Sequence, residues 1–342
     1  MTHSATVSRR TFMVMPLALA ACYPISEVFR IEGSTMGTTY RVVATDGARK
    51  VAEPEVRAAI EGALAEVNRQ MSNWDPSSEI SQFNARAGTD PVAVSPALSE
   101  IMAAAESVNT ASNGKFDTTM GPVIELWGFG AAGSRSRPSD AEIATARSLS
   151  GHRNTLKVGG GALQKRQPEA QVYLAAIGKG YGADRVGRAL EELGMTDYMV
   201  EIGGDLYVSG RNPDGVPWQI GIETPAASML DVLKVVSVTD LGLASSGDYR
   251  NYFEEEGQRF SHLIDPTTGR PVTHNTASVT VLAENAMLAD AWATAFHVMG
   301  KDEGMAVAEE RDLAVLFIER EQNGNDMPFS LTASSAFDAL TS

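Results

Sequence analysis

The chain contains a single cysteine, Cys22, in 342 residues. An intrachain disulfide is therefore excluded, and the folded part has no thiolate for catalysis or for a cysteine-based metal site. Histidine is scarce, with five residues, and cations are outnumbered: 28 Lys and Arg stand against 43 Asp and Glu, a net charge of −15. That balance argues against nucleic-acid binding and against a polybasic membrane surface. An anionic ligand must instead be met locally, by a lysine, a helix N-terminus or a metal ion. No Gly-x-Ser-x-Gly elbow is present, so a Ser/His/Asp triad cannot be argued. The Walker A spacing is also missing. Internal repeats and low-complexity tracts are absent, and the apolar run near the N-terminus falls short of the roughly 20 residues that span a bilayer.

That run belongs to a targeting pattern. Ser8-Arg9-Arg10-Thr11-Phe12-Met13 precedes it, and Leu19-Ala20-Ala21-Cys22 ends it. Twin arginines, a short apolar core and small residues before a cleavage point predict a secretory signal over residues 1–21. Leu-Ala-Ala-Cys resembles a bacterial lipobox, so Cys22 is expected to be acylated, with residues 22–32 as a tether and 33–342 as one domain. Residues 1–21 hold two arginines and no acid, so their removal takes the net charge to −17. The expected location is periplasmic, held at the membrane through the lipid anchor alone.

A composition that is 43% hydrophobic supplies a substantial core without disulfides. Thr38 to Ala44 reads as a strand. Pro54 opens a helix with Val56, Ile60, Leu64, Val67 and Met71 at helical spacing. A long polar stretch, Ser72 to Val94, follows without periodicity. Ser95-Pro96 caps a helix that ends near Asn113-Gly114. Leu156 to Val172 reads as a hairpin around Gly159-Gly160-Gly161. A helix after Gly178-Lys179-Gly180 carries Val186, Leu190 and Leu193 and closes at Gly194. Strands are expected at 198–205, 218–223, 232–239, 259–264 and 277–282, then helices at 285–299 and 302–311 and a strand at 314–318. Helices mix with antiparallel-looking strands without βαβ regularity, which predicts an α+β fold rather than a doubly wound sheet.

Several residues could carry chemistry. Asp290 and Thr294 are four apart on a helix, hence on one face, and two hard oxygens suit Mg²⁺. The alternative is an aspartate on a solvated face, although its neighbours are Ala, Leu, Trp and Phe. Lys179, between glycines at a helix start, makes a phosphate-ready corner or an ordinary glycine-rich turn. His262 precedes an Asp265-Pro266 turn, where an imidazole can face a cleft as a general base or sit satisfied in the core. His274 flanks the same turn, His152 lies in an irregular region, and His297 falls on an apolar helix face. Trp74 and Phe116 could stack on a planar ring or belong to the core.

Seven segments, in order, resemble one family. They are Gly33-Ser34-Thr35-Met36-Gly37-Thr38, Met71-Ser72-Asn73-Trp74-Asp75, Phe116-Asp117-Thr118-Thr119-Met120-Gly121-Pro122, Ala176-Ile177-Gly178-Lys179-Gly180-Tyr181, Ile202-Gly203-Gly204-Asp205, Ser261-His262-Leu263-Ile264-Asp265-Pro266 and Ala289-Asp290-Ala291-Trp292-Ala293-Thr294. Together they resemble the ApbE family, exported lipoproteins that act as FAD:protein FMN transferases. The resemblance implies a single T-fold-related domain with a mixed, largely antiparallel sheet and flanking helices. It places Met36, Trp74, Lys115, Phe116, Asp117, Lys179 and Ser261 at the FAD site and His262 as the catalytic base. Mg²⁺ would be held by the Ala176 carbonyl, Asp290 and Thr294. Where the family usually has an Asp that contacts FAD, this chain has Tyr173, and Gly178 replaces a more usual Ala. The implied acceptors are flavoprotein subunits bearing an Asp-x-x-Ser/Thr-Gly-Ala type motif. Two rivals share these residues: a Mg²⁺-dependent FAD pyrophosphatase that uses water, and an FAD-binding lipoprotein without catalysis.

Overall fold

A hairpin opens the fold in the computed structural model, which describes residues 27–47, 50–130, 135–226, 231–321 and 329–341. The expected signal segment and Cys22 lie outside the described residues. β1 (Val28–Thr35) and β2 (Thr38–Thr45) turn at Met36 and Gly37, with φ of 50° and 72°. Two successive positive φ values suit the tight turn that matches strand twist. Residues 28–32, expected in the tether, are thus five of the eight residues of β1, because each pairs with β2.

α1 (Glu53–Met71) buries the five residues its periodicity picked out. The polar stretch after it is not structureless. It holds α2 (Glu79–Ala85), capped by the Ser78 side chain, and a short β3 (Val92–Ala93). Next come α3 (Pro96–Ala111), capped by Ser95, then α4 (Gly121–Leu126), α5 (Asp140–Ser148) and α6 (His152–Thr155). The glycine hairpin β4 (Leu156–Gly159) and β5 (Ala162–Lys165) forms as expected but stops at Lys165 rather than Val172. α7 (Gly178–Glu192) leads to β6 (Tyr198–Ile202), β7 (Asp205–Ser209), β8 (Trp218–Glu223), β9 (Val232–Val238) and β10 (Leu241–Gly247). β11 (Tyr252–Glu255), β12 (Gln258–Ser261), β13 (Ile264–Asp265) and β14 (Arg270–Pro271) are short, and β15 (Thr276–Ala283) is long. The predicted strand at 259–264 is therefore broken at His262 and Leu263. α8 (Ala286–Met299), α9 (Lys301–Arg311), β16 (Ala314–Arg320), β17 (Phe329–Ala333) and α10 (Ser335–Thr341) complete the order.

Eight strands form the central sheet in the order β1-β2-β6-β7-β10-β15-β16-β17, and neighbouring strands run antiparallel. This is the expected α+β architecture. One face packs on helices: Val42, Val200 and Ile202 meet α1 and α7, while Ala244, Val279 and Phe317 meet α8. The other face, through Leu206, Leu243, Leu282 and Leu316, meets the β8–β9 ribbon and Phe337 of α10. Burial on both sides explains why β15 is buried along nearly its whole length, its polar residues Thr276, Ser278 and Thr280 included.

Two helices set the position of everything that follows. α7 and α8 pack with their N-terminal turns overlapping, and each caps the other. Asp184 of α7 accepts from the amides of Ala286 and Met287 at 2.8 and 2.9 Å. Asp290 of α8 accepts from the Gly180 amide at 3.1 Å. Helix N-termini carry unpaired N–H groups and a partial positive charge, so both carboxylates are stabilised there. Burial nonetheless raises the Asp184 pKa to about 7. The approach is tight enough that a Cβ on Gly180 would sit 2.1 Å from the Ala286 carbonyl oxygen. Backbone cannot yield as a side chain does, so Gly180→Ala is expected to cost about 3 kcal/mol. A lowered urea midpoint at unchanged slope checks this, and wild-type stability would mean the helices separate freely.

Candidate active site

A cavity of about 470 Å³ opens where the N-terminal turns of α7 and α8 meet the end of β10. Its floor holds Ala176, Lys179, Asp290 and Thr294, and its walls include Ser245 to Gly247, His262, Phe116, Phe129 and Tyr173. A second cavity of about 180 Å³, which Met36 lines, adjoins it and shares Trp74, Ala175 and Lys179. Most of the residues singled out in the sequence, up to 220 positions apart from Trp74 to Thr294, thus converge on connected space.

His262 sits in the break between β12 and β13 rather than on a strand. Its amide donates to the Asn251 carbonyl at 3.0 Å, and its Nδ1 lies 3.1 Å from the same oxygen. A carbonyl only accepts, so Nδ1 carries the proton and Nε2 keeps the lone pair. Phe129 meets the ring edge-on at 6.3 Å. Burial pushes the imidazole below its ordinary value, partly opposed by the Asn251 carbonyl. The ring is neutral at pH 7 and oriented, which is what a general base needs.

The acidic floor is short of positive charge. The Lys179 ammonium contacts the Asp205 carboxylate and lies 3.7 Å from Asp290 Oδ1. Burial works against the Lys179 charge, but the two carboxylates outweigh it and raise its pKa. Burial, then the Asp290 charge, raises Asp205 to about 7. No group of three or more His, Cys, Asp or Glu side chains is placed to hold a metal among the described residues. The oxygens at hand are the Asp290 carboxylate, the Thr294 hydroxyl one turn on and the Ala176 carbonyl, all bordering the cavity. Hard, sparse oxygen donors beside two carboxylates and one ammonium fit a Mg²⁺ ion that takes its remaining ligands from water and phosphate.

Other predicted residues have defined places. Trp74 stands at the mouth with 59% of its surface exposed, an aromatic face free to stack. Phe116 is buried, its carbonyl held by Asn109 and its amide by Ser112. Asp117 lines the cavity but spends both carboxylate oxygens on its own surroundings, accepting from Thr119 and from the His152 amide. Lys115 lies 3.6 Å from both Asp265 and Glu303. Tyr173 donates its hydroxyl to Glu125 at 2.5 Å, so a carboxylate stands behind this wall although Tyr173 itself brings none. Ser261 is not brought to the cavity: it is buried, with a hydroxyl that has no hydrogen-bond partner among the described residues.

Sequence reasoning gave no role to Asp184, Glu125 or Asn251, and none to Asp205 beyond its motif. Asn251 acts through its backbone carbonyl, which leaves no signal in residue type. His297 also proves to be more than core. Its Nδ1 lies 2.9 Å from the Ser246 carbonyl and its Nε2 3.2 Å from the Thr276 carbonyl; the neutral ring donates to one of the two and braces the β10 wall from behind. Burial lowers its pKa to about 4. The unfolded chain, titrating near 6.5, then binds a proton that the folded chain refuses. This contribution to stability is complete above pH 6.5 and is lost as pH falls towards 4, by roughly 3 kcal/mol. His297→Gln should flatten unfolding free energy across that window, as read from urea titrations at pH 7, 5.5 and 4.

The chain also matches known proteins in sequence and in fold. The sequence pattern of the ApbE family matches residues 36–317. The chain is 41% identical over 327 residues to the FAD:protein FMN transferase of Vibrio cholerae, covering 95% of this chain and 96% of that one. Its identity to the FAD:protein FMN transferase of Haemophilus influenzae is 40%, over 96% of each. Among solved structures, the flavin transferase ApbE from Vibrio cholerae superposes with a TM-score of 0.84 at 39% identity, covering 92% of this chain and 99% of that one. Apo flavinyl transferase ApbE of Pseudomonas stutzeri gives 0.83 at 36% identity, over 92% and 97%. With pattern, full-length identity and fold in agreement, the chain belongs to the ApbE family.

Proposed function

We propose that this chain transfers the FMN moiety of FAD to a Ser or Thr hydroxyl of an acceptor protein and releases AMP. The observation that carries the reading is the placement of a neutral, oriented His262 on the same cavity as Lys179, Asp290 and Thr294. A base near one side of a phosphate and cationic stabilisation near the other are what phosphoryl-group transfer requires. Relatives named FAD:protein FMN transferase support it at 35–41% identity over most of the chain.

In this reading Trp74 holds a planar ring of FAD, Phe116 belongs to the core beneath the cavity wall, and Lys179 meets pyrophosphate oxygens. The acceptor hydroxyl gives its proton to His262 Nε2 as its oxygen bonds to the phosphorus on the FMN side. The bond from that phosphorus to the bridging oxygen breaks, and AMP leaves with the bridging oxygen. Mg²⁺ held by Asp290, Thr294 and the Ala176 carbonyl would supply charge neutralisation on the pyrophosphate and on departing AMP. We also place the protein outside the cytoplasm, exported by the twin-arginine segment at 1–21 and anchored through acylated Cys22, with the folded domain after it. Intact mass of an acceptor bearing the Asp-x-x-Ser/Thr-Gly-Ala type motif, mixed with protein, FAD and Mg²⁺, tests the reading. The expected result is an added phosphoester-linked FMN that vanishes with chelator. Free FMN and AMP without adduct would favour hydrolysis, and FAD returned intact would leave only binding.

A further inference from the structure

Lys179 and Asp205 hold more of the site's logic than phosphate binding asks of them. Asp290 has two carboxylate oxygens, and their duties differ. Oδ2 accepts from the Gly180 amide, while Oδ1 faces the Lys179 ammonium at 3.7 Å. The Asp290 oxygen without an amide donor, the one most open to a cation, is therefore the one that Lys179 already neutralises. Lys179 is free to yield. Its side chain keeps 31% of its surface exposed, and it borders both cavities. Asp205 is the reverse, a carboxylate 1% exposed at the first position of β7, fixed by pairing with Ile202 after the Gly203-Gly204 turn. A buried carboxylate with an ammonium in contact holds that ammonium strongly, because little water screens the pair.

We propose that Lys179 is a built-in stand-in for the divalent cation, competing with it for Asp290 Oδ1, and that Asp205 is the positioning residue that draws Lys179 away. This rests on the assignment of Asp290 to the metal. In the free protein the ammonium balances two buried carboxylates and keeps cation affinity low. Ligand phosphates reached by Lys179 pull it off Asp290 and raise cation affinity, so nucleotide and metal load together. Linkage makes the effect reciprocal.

The test is Mg²⁺ titration of the flavin-free, full-length protein by calorimetry, with no transfer reaction involved. Lys179→Met should bind Mg²⁺ at least tenfold more tightly than wild type, because Oδ1 is left without a counter-charge. Asp205→Asn should bind it at least tenfold more weakly, because Lys179 then settles on Asp290. A purely structural role for the pair would weaken binding in both variants, so the opposite signs are decisive. Unchanged or weaker affinity in Lys179→Met overturns the proposal, as does an absence of binding heat in every variant. Should Asp205→Asn fail to fold by circular dichroism, Lys179→Met decides alone. A chain without transferase activity that still shows the opposed affinities would defeat the functional reading and leave this one standing.

Discussion

Replacing His262 with alanine is expected to cut flavin transfer by about 10²–10⁴-fold, the usual share of a positioned general base, while FAD binding stays close to wild type. The loss is specific to chemistry because His262 is held by the Asn251 backbone rather than by groups that meet the phosphates. Its removal leaves Trp74, Lys179 and the α8 oxygens in place. The pH profile gives a second handle. Burial holds the His262 pKa below the ordinary 6.5, so the base stays neutral as pH falls through 6.5 and fails only further down. The acid limb of kcat/KM should therefore lie below 6.5 in the wild type and be absent in His262→Ala. Full transfer by that variant would remove His262 from the mechanism, and loss of FAD affinity equal to the loss of rate would make it a binding residue.

Asp290→Asn is expected to lower Mg²⁺-dependent turnover by about a hundredfold or more, since several kcal/mol of charge stabilisation go with the ion and each 1.4 kcal/mol is tenfold. Asparagine keeps an oxygen for the Gly180 amide, so the α7 N-terminus remains capped and thermal unfolding should move little. Asp290→Ala removes the acceptor as well and should cost about 1–2 kcal/mol of stability on top of the activity loss. The pair of variants separates two duties that one side chain performs: closing a helix and presenting a charge. Normal turnover in Asp290→Asn would end the metal assignment, and equal stability of both variants would end the capping one.

Much of this chain can be read without coordinates wherever the signal is local. The α1 stripe from Val56 to Met71 follows from spacing alone. Ser95 and Gly194 mark helix ends through cap chemistry, and the three glycines at 159–161 mark a hairpin. The misses are equally physical. β10, Leu-Gly-Leu-Ala-Ser-Ser-Gly, has little strand propensity and gives no strand signal, yet it lies mid-sheet because small residues let α8 approach. β1 was hidden in the expected tether because only its pairing with β2 makes Phe29 and Ile31 core residues.

By itself the sequence determined the chemistry available: one cysteine, an acidic surface, a lysine among glycines at a helix start, and two oxygens one turn apart on an apolar helix. Ordered motifs also carried the family, because residue types in sequence survive without a structure. Only the tertiary structure decided which groups meet. Asn251 fixes the tautomer of His262 through a backbone atom, Asp184 and Asp290 exchange caps between helices about 100 residues apart in sequence, and Asp205 reaches Lys179 from the far side of a β-turn. Those relations depend on distance through space and on burial, and neither is encoded in the type of the residue that takes part.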